Sequence, residues 1–200
     1  RGAGLLRLEA GKLIAPASEP DPSPSVTALP PGRRIRALRE AADGALWLAT
    51  EAGVSRFIGR ELTTLTQRDG LLDNSTFDLW FDPDGTLWIA TDGGLQRLRD
   101  GHLRGFTTRD GLSSNQIRAL YRDRAGSFWV GTQGGGLNRL RAEAGPSRDA
   151  AESTAPPQPV GTLETSETFV IGVLDAARGL SSNIVNAILE DLSLIHISEP

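Results

Sequence analysis

The chain has 200 residues, with 21 Lys plus Arg against 25 Asp plus Glu and a formal net charge of −4. That balance offers no basic face for nucleic acid, and Lys12 is the single lysine, so arginine carries almost all the positive charge. Cysteine is absent, which excludes disulfides and zinc–thiolate centres and suits either a periplasmic or a cytoplasmic setting; no run of 18 or more apolar residues is present to span a membrane.

In chain order, the first recognisable element is Gly4-Leu5-Leu6-Arg7-Leu8, which matches Gly94-Leu95-Gln96-Arg97-Leu98. The chain therefore begins partway through a repeated unit and, lacking an initial methionine, reads as a fragment. Residues 15–32 are rich in Pro, Ser and Ala, a composition that favours extended, solvated chain and marks an insertion. A period of 41 residues then governs the sequence. It relates Leu38, Leu79 and Leu120; Gly44, Gly85 and Gly126; Trp47, Trp88 and Trp129; and Thr50, Thr91 and Thr132.

Each unit is predicted to hold four short strands. The first, seen best in Gln116 to Asp123, mixes apolar residues with arginine as a strand with a buried face does. A turn follows at Asp43-Gly44, Asp84-Gly85 or Ala125-Gly126, where glycine supplies the positive φ of a tight hairpin. The second strand is the apolar run 45–50, 86–91 or 127–132. A glycine-rich turn leads to the third, 94–99 or 136–141. Gly59-Arg60 or Asp100-Gly101 then turns the chain into the fourth, 62–66 or 103–107. Four antiparallel strands per unit of about forty residues is the arithmetic of a β-propeller blade. Helical repeats of similar length are excluded by glycines every eight to twelve residues, each costing about 1 kcal/mol inside a helix. The fold class is thus an all-β propeller, incomplete, with about four to five blades or part-blades.

Gly179-Leu180-Ser181-Ser182-Asn183 repeats Gly111-Leu112-Ser113-Ser114-Asn115 at an offset of 68 rather than 41. A second insertion, residues 142–166, accounts for the difference, and Phe169 to Leu174 is expected to resume the outer strand. After Asp191 the period requires a turn glycine at 194 and a tryptophan at 197; residues 192–200 read "LSLIHISEP" instead. That tail reads as the translation of a sequencing adapter and is treated as foreign, along with His196.

Few residues suggest chemistry. His102 stands alone in a hairpin, so neither a catalytic constellation nor a metal site is expected. Asp82 and Asp84 crowd a turn where calcium could sit, but Ala41 and Ala125 at related positions favour turn formation. Gly134 to Gly136 lacks the Lys-Ser/Thr of a phosphate loop. The mid-strand tryptophans are expected to pack blade on blade rather than stack on sugars. The candidate ligand-binding residues lie where each loop enters a first strand. Asn74, Asn115 and Asn183 recur there and either cap a turn or touch ligand. Arg36, Phe77, Arg118 and Asn186 form a column that the repeat leaves variable, the pattern expected of specificity.

The stretch "GLSSNQIRALYRDRAGSFWVGTQGGGLNRL" resembles the repeat of the two-component regulator propeller family. Gly111, Leu112, Ser114, Asn115, Asp123, Gly126, Trp129, Gly131, Thr132, Gly135 and Leu137 carry the match, and Gly70, Leu71, Asn74, Asp82, Gly85, Trp88, Thr91, Gly93, Gly94 and Leu95 repeat it. The resemblance implies a sensor outside the bacterial cytoplasmic membrane, periplasmic and part of a membrane-anchored, dimeric receptor. Its output would be a histidine kinase of a phosphorelay or a diguanylate cyclase of cyclic-di-GMP signalling. A small-molecule or oligosaccharide ligand is implied, with no cofactor, no metal, no nucleic-acid contact and no enzymatic activity in this segment. A propeller enzyme acting on polysaccharides or lactones, and a protein-interaction scaffold, are the competing readings.

Overall fold

The computed structural model describes residues 7–9, 12–14, 34–59, 61–142 and 169–188. The insertion expected at 15–32, most of that at 142–166, and the tail 192–200 lie outside these residues. Strands β1 (Arg7–Glu9) and β2 (Lys12–Ile14) pair as an antiparallel hairpin.

Three four-stranded antiparallel sheets follow, each a meander in chain order. The first blade is β3 (Ile35–Glu40), β4 (Leu46–Thr50), β5 (Gly53–Ile58) and β6 (Glu61–Leu65). The second is β7 (Thr76–Phe81), β8 (Leu87–Thr91), β9 (Leu95–Arg99) and β10 (His102–Phe106). The third is β11 (Ile117–Arg122), β12 (Phe128–Thr132), β13 (Leu137–Ala142) and β14 (Phe169–Leu174). The blades meet through their first strands, β3 against β7 and β7 against β11, with β4 and β8 each also touching the next blade's first strand. The sheets therefore fan outward from β3, β7 and β11, as blades do from a propeller's centre.

The tandem columns have distinct structural reasons. Thr50, Thr91 and Thr132 end the second strands and bond Oγ1 to the carbonyls of Gly53, Gly94 and Gly136 at 2.9, 2.8 and 2.8 Å, closing the turn into the third strand. Gly94, at φ +146°, runs so close to β10 that a Cβ would lie 2.5 Å from the Phe106 carbonyl. The indoles of Trp88 and Trp129 donate to Asp82 and Asp123 at 2.8 Å. Trp47 has Ala41 at the equivalent position and packs edge-on to Phe81 of the next blade. One buried cluster joins the first two blades around Leu79 and Ile89; another joins the second and third, where Trp88 packs 4.9 Å from Phe128.

Two local features depart from the sequence reading. The fourth strands end one residue early, at Leu65 and Phe106, because Thr66 and Thr107 leave the sheet to cap single 3-10 turns at Gln67–Asp69 and Thr108–Asp110. Each is a capping box in which the threonine hydroxyl bonds a carboxylate three residues on, Asp69 at 2.8 Å and Asp110 at 3.0 Å. The second feature is a register shift in every first strand, between Ile35 and Ala37, Thr76 and Asp78, and Ile117 and Ala119. One residue per strand, Arg36, Phe77 or Arg118, is thereby set off in a β-bulge.

Candidate functional site

Arg36, Phe77 and Arg118 are brought into a single stack across the three blades by those bulges. The Phe77 ring lies between two guanidiniums, with Arg36 Cζ 4.0 Å and Arg118 Cζ 3.7 Å from its centroid. Each such cation–π contact contributes about 0.5–2 kcal/mol, more as it is desolvated. Arg36, exposed, donates from Nη1 to Ser75 Oγ at 3.0 Å and to the Thr76 carbonyl at 3.1 Å. Arg118 is more enclosed, its side chain 12% accessible. Its Nη2 is 2.8 Å from Asp92 Oδ1 and its Nε donates to Gln133 Oε1 at 2.8 Å.

Asp92 and Gln133 were not singled out in the sequence, yet they share this rim. They occupy the turn between second and third strands, at the same offset as Glu51, so Glu51, Asp92 and Gln133 form a second variable column beside the first. That repeat-aligned variability was the signal available. Together the columns present guanidiniums, carboxylates and an amide, a set that donates and accepts, while both faces of Phe77 are taken by Arg36 and Arg118. Such a rim suits a polar ligand carrying several hydroxyl groups.

The repeated asparagines have a different occupation. Asn74, Asn115 and Asn183 each use Oδ1 to accept from the first N–H of the preceding 3-10 turn, at Gln67, Thr108 and Ala176, at 2.7, 2.8 and 2.6 Å. These bonds hold the loops that deliver the chain to the rim. Asn186 is exposed, two residues beyond the bridge that joins Ile184 to Gln133. It stands next in the column after Arg118.

Behind the stack, Asp78 fixes one blade on the next. Its Oδ1 accepts from Arg39 at 3.0 Å and Leu79 N at 2.8 Å, and its Oδ2 from Leu120 N at 2.9 Å. Burial raises its pKa above the ordinary 3.8, outweighing the hydrogen bonds from Leu120 and Leu79 and the charge of Arg39. Asp82 and Asp84, weighed as calcium ligands, are engaged by Arg122 and Trp88 and by the Thr86 N–H. Among the described residues no group of three His, Cys, Asp or Glu is placed to hold a metal ion. No helix among them is long and apolar enough to cross a membrane.

A family model, two component regulator propeller, matches residues 111–134. Comparison with curated protein sequences finds no match. The chain is similar in structure to the extracellular domain assigned to the hybrid two component system BT4673 of B. thetaiotaomicron. The TM-score is 0.59 with 21% identity, over 84% of this chain and 22% of that one. It is similar also to the corresponding domain of BT3049 from the same organism, at TM-score 0.52 and 22% identity, over 68% of this chain and 18% of the other. The chain thus spans about a fifth of the length of these structures, and the likeness establishes a shared propeller fold. The 41-residue period, the Trp–Asp and Thr–Gly columns that it builds into blades, and the matched segment agree: the chain carries the repeat of the two-component regulator propeller family.

Proposed function

We propose that this chain is part of an extracytoplasmic, non-catalytic ligand-sensing propeller of a bacterial signalling receptor. The observation that carries this reading is the Arg36–Phe77–Arg118 stack. Three residues that the repeat does not dictate are set off by bulges at equivalent places and brought together on one rim of a sensor-family propeller. The parent would be membrane-anchored and dimeric, with a kinase or cyclase output elsewhere in its sequence. An oligosaccharide held across several blades would favour one arrangement of propellers or protomers and so shift the output's population.

The test is isothermal titration of the 200-residue chain with a panel of neutral oligosaccharides. Binding is expected; Arg36→Ala, at an exposed side chain, should weaken it at least tenfold with little change in melting temperature, and Phe77→Ala should weaken it as much while also lowering the melting temperature, since Phe77 packs on the core shared by the second and third blades. Absence of binding across the panel, or binding indifferent to both substitutions, rejects the reading.

A further inference from the structure

At the other end of the same first strands, about 17 Å from the bulges at 3.3 Å per residue, a cleft of about 630 Å³ opens between the second and third blades. Its charge is opposite in sign to that of the chain. Arg97, Arg99, Arg122, Arg139 and Arg141 line it against two acids, Asp82 and Asp84, whereas the whole chain carries a formal −4.

Both acids are committed within the protein. Asp82 receives Arg122 at 2.7 and 2.6 Å as well as the Trp88 indole. Asp84 accepts from Thr86 N at 3.0 Å and lies 3.5 Å from Arg99.

The repeat explains the excess of positive charge. Each blade lays a third-strand arginine beside its second-strand tryptophan, seen directly in the register pairs Trp47 with Arg56, Trp88 with Arg97, and Trp129 with Arg139. In the first blade the hairpin acid Asp43 answers that arginine, 2.7 Å from Arg56. The second blade keeps an acid there, Asp84. The third has Ala125. Arg139, stacked 5.0 Å from Trp129 and bonded to Ser127 Oγ, is left with its Nε buried and without a hydrogen-bond partner. Asp123, whose charge acts on Arg139, already accepts from the Trp129 indole at 2.8 Å and Ser127 N at 2.7 Å.

We infer that this cleft is a binding site for a ligand carrying oxyanion groups, one of which takes beside Arg139 the place that the Asp43 carboxylate takes beside Arg56 in the first blade. Guanidinium is suited to this, since its fork pairs with planar or tetrahedral oxyanions through charge-assisted hydrogen bonds. The cleft has room for a small ligand with more than one anionic group, and Arg141, exposed at β13, also lines it. The site is separate from the bulge rim and does not depend on it.

The experiment compares trigalacturonic acid, a sulfated disaccharide and inorganic pyrophosphate with maltotriose as the neutral control, by titration calorimetry on the full chain. The anionic probes are expected to bind, with affinity falling as NaCl rises, and maltotriose not to compete; which anionic probe binds tightest distinguishes carboxylate, sulfate and phosphate sources. Arg139→Gln should weaken binding at least tenfold. Ala125→Asp supplies the carboxylate that Asp43 gives Arg56 in the first blade, so it should abolish anion binding while leaving the melting temperature equal or higher. Phe77→Ala should leave this site unaffected. Anion binding that survives Ala125→Asp, or no anion binding at low salt, overturns the inference.

Discussion

Asp82 takes charge-assisted hydrogen bonds from both Nε and Nη2 of Arg122 and a third bond from the Trp88 indole, with its own side chain only 13% accessible. Removing it would take away the carboxylate that Arg122 holds through two bonds, leaving it the Gly126 carbonyl, and the acceptor of the Trp88 indole. Asp82→Ala should therefore cost about 2–4 kcal/mol in urea denaturation. Asp78 makes a prediction of the opposite kind. Because burial holds its pKa above 3.8, the folded state keeps its proton to higher pH than the unfolded chain does. Stability from this group is thus present at pH below about 4 and declines as pH rises through the folded value. Asp78→Asn should flatten that fall, so the difference in melting temperature between the two proteins should drift in the variant's favour from pH 4 to pH 7. A difference that is constant with pH would mean that Asp78 titrates normally.

At the scale of the element, the turns and the bulges were not equally legible. The Thr column and the glycines that follow it stand out in the sequence because the turn from second to third strand tolerates little else. A Cβ at Gly94 would meet the Phe106 carbonyl at 2.5 Å, whereas one at Gly101, also at positive φ, would meet nothing within 4 Å. Gly94→Ala is accordingly expected to cost about 2–4 kcal/mol and Gly101→Ala about 1 kcal/mol, measured as separate losses of unfolding free energy. The capped 3-10 turns were missed because a threonine and an aspartate three apart in a polar loop look like ordinary turn composition. The bulges did leave a trace. In β11 the buried Ile117 and Leu120 are three apart, and Thr76 and Leu79 repeat this in β7, an odd spacing that an unbroken strand cannot bury on one face.

For the whole molecule, the blades are held together through their first strands, where Leu79 is fully buried and Leu120 is 4% accessible. Leu79→Ala should cost about 2–5 kcal/mol, readable from thermal denaturation. Fold and blade order could be read from the 41-residue period because architecture repeats. The partners of the candidate site could not, since Asp92 and Gln133 meet Arg118 only once the turns bring different strands to one rim.

The bulge that sets off Arg36, Phe77 and Arg118 has a consequence for how such a protein diversifies. Tandem copies arise alike and must keep their glycines, threonines and tryptophans to go on folding. A side chain outside the strand's pairing register is released from that inheritance, so each duplicate can acquire its own letter there. A library randomised at 36, 77 and 118 should yield mostly folded proteins that differ in what they hold.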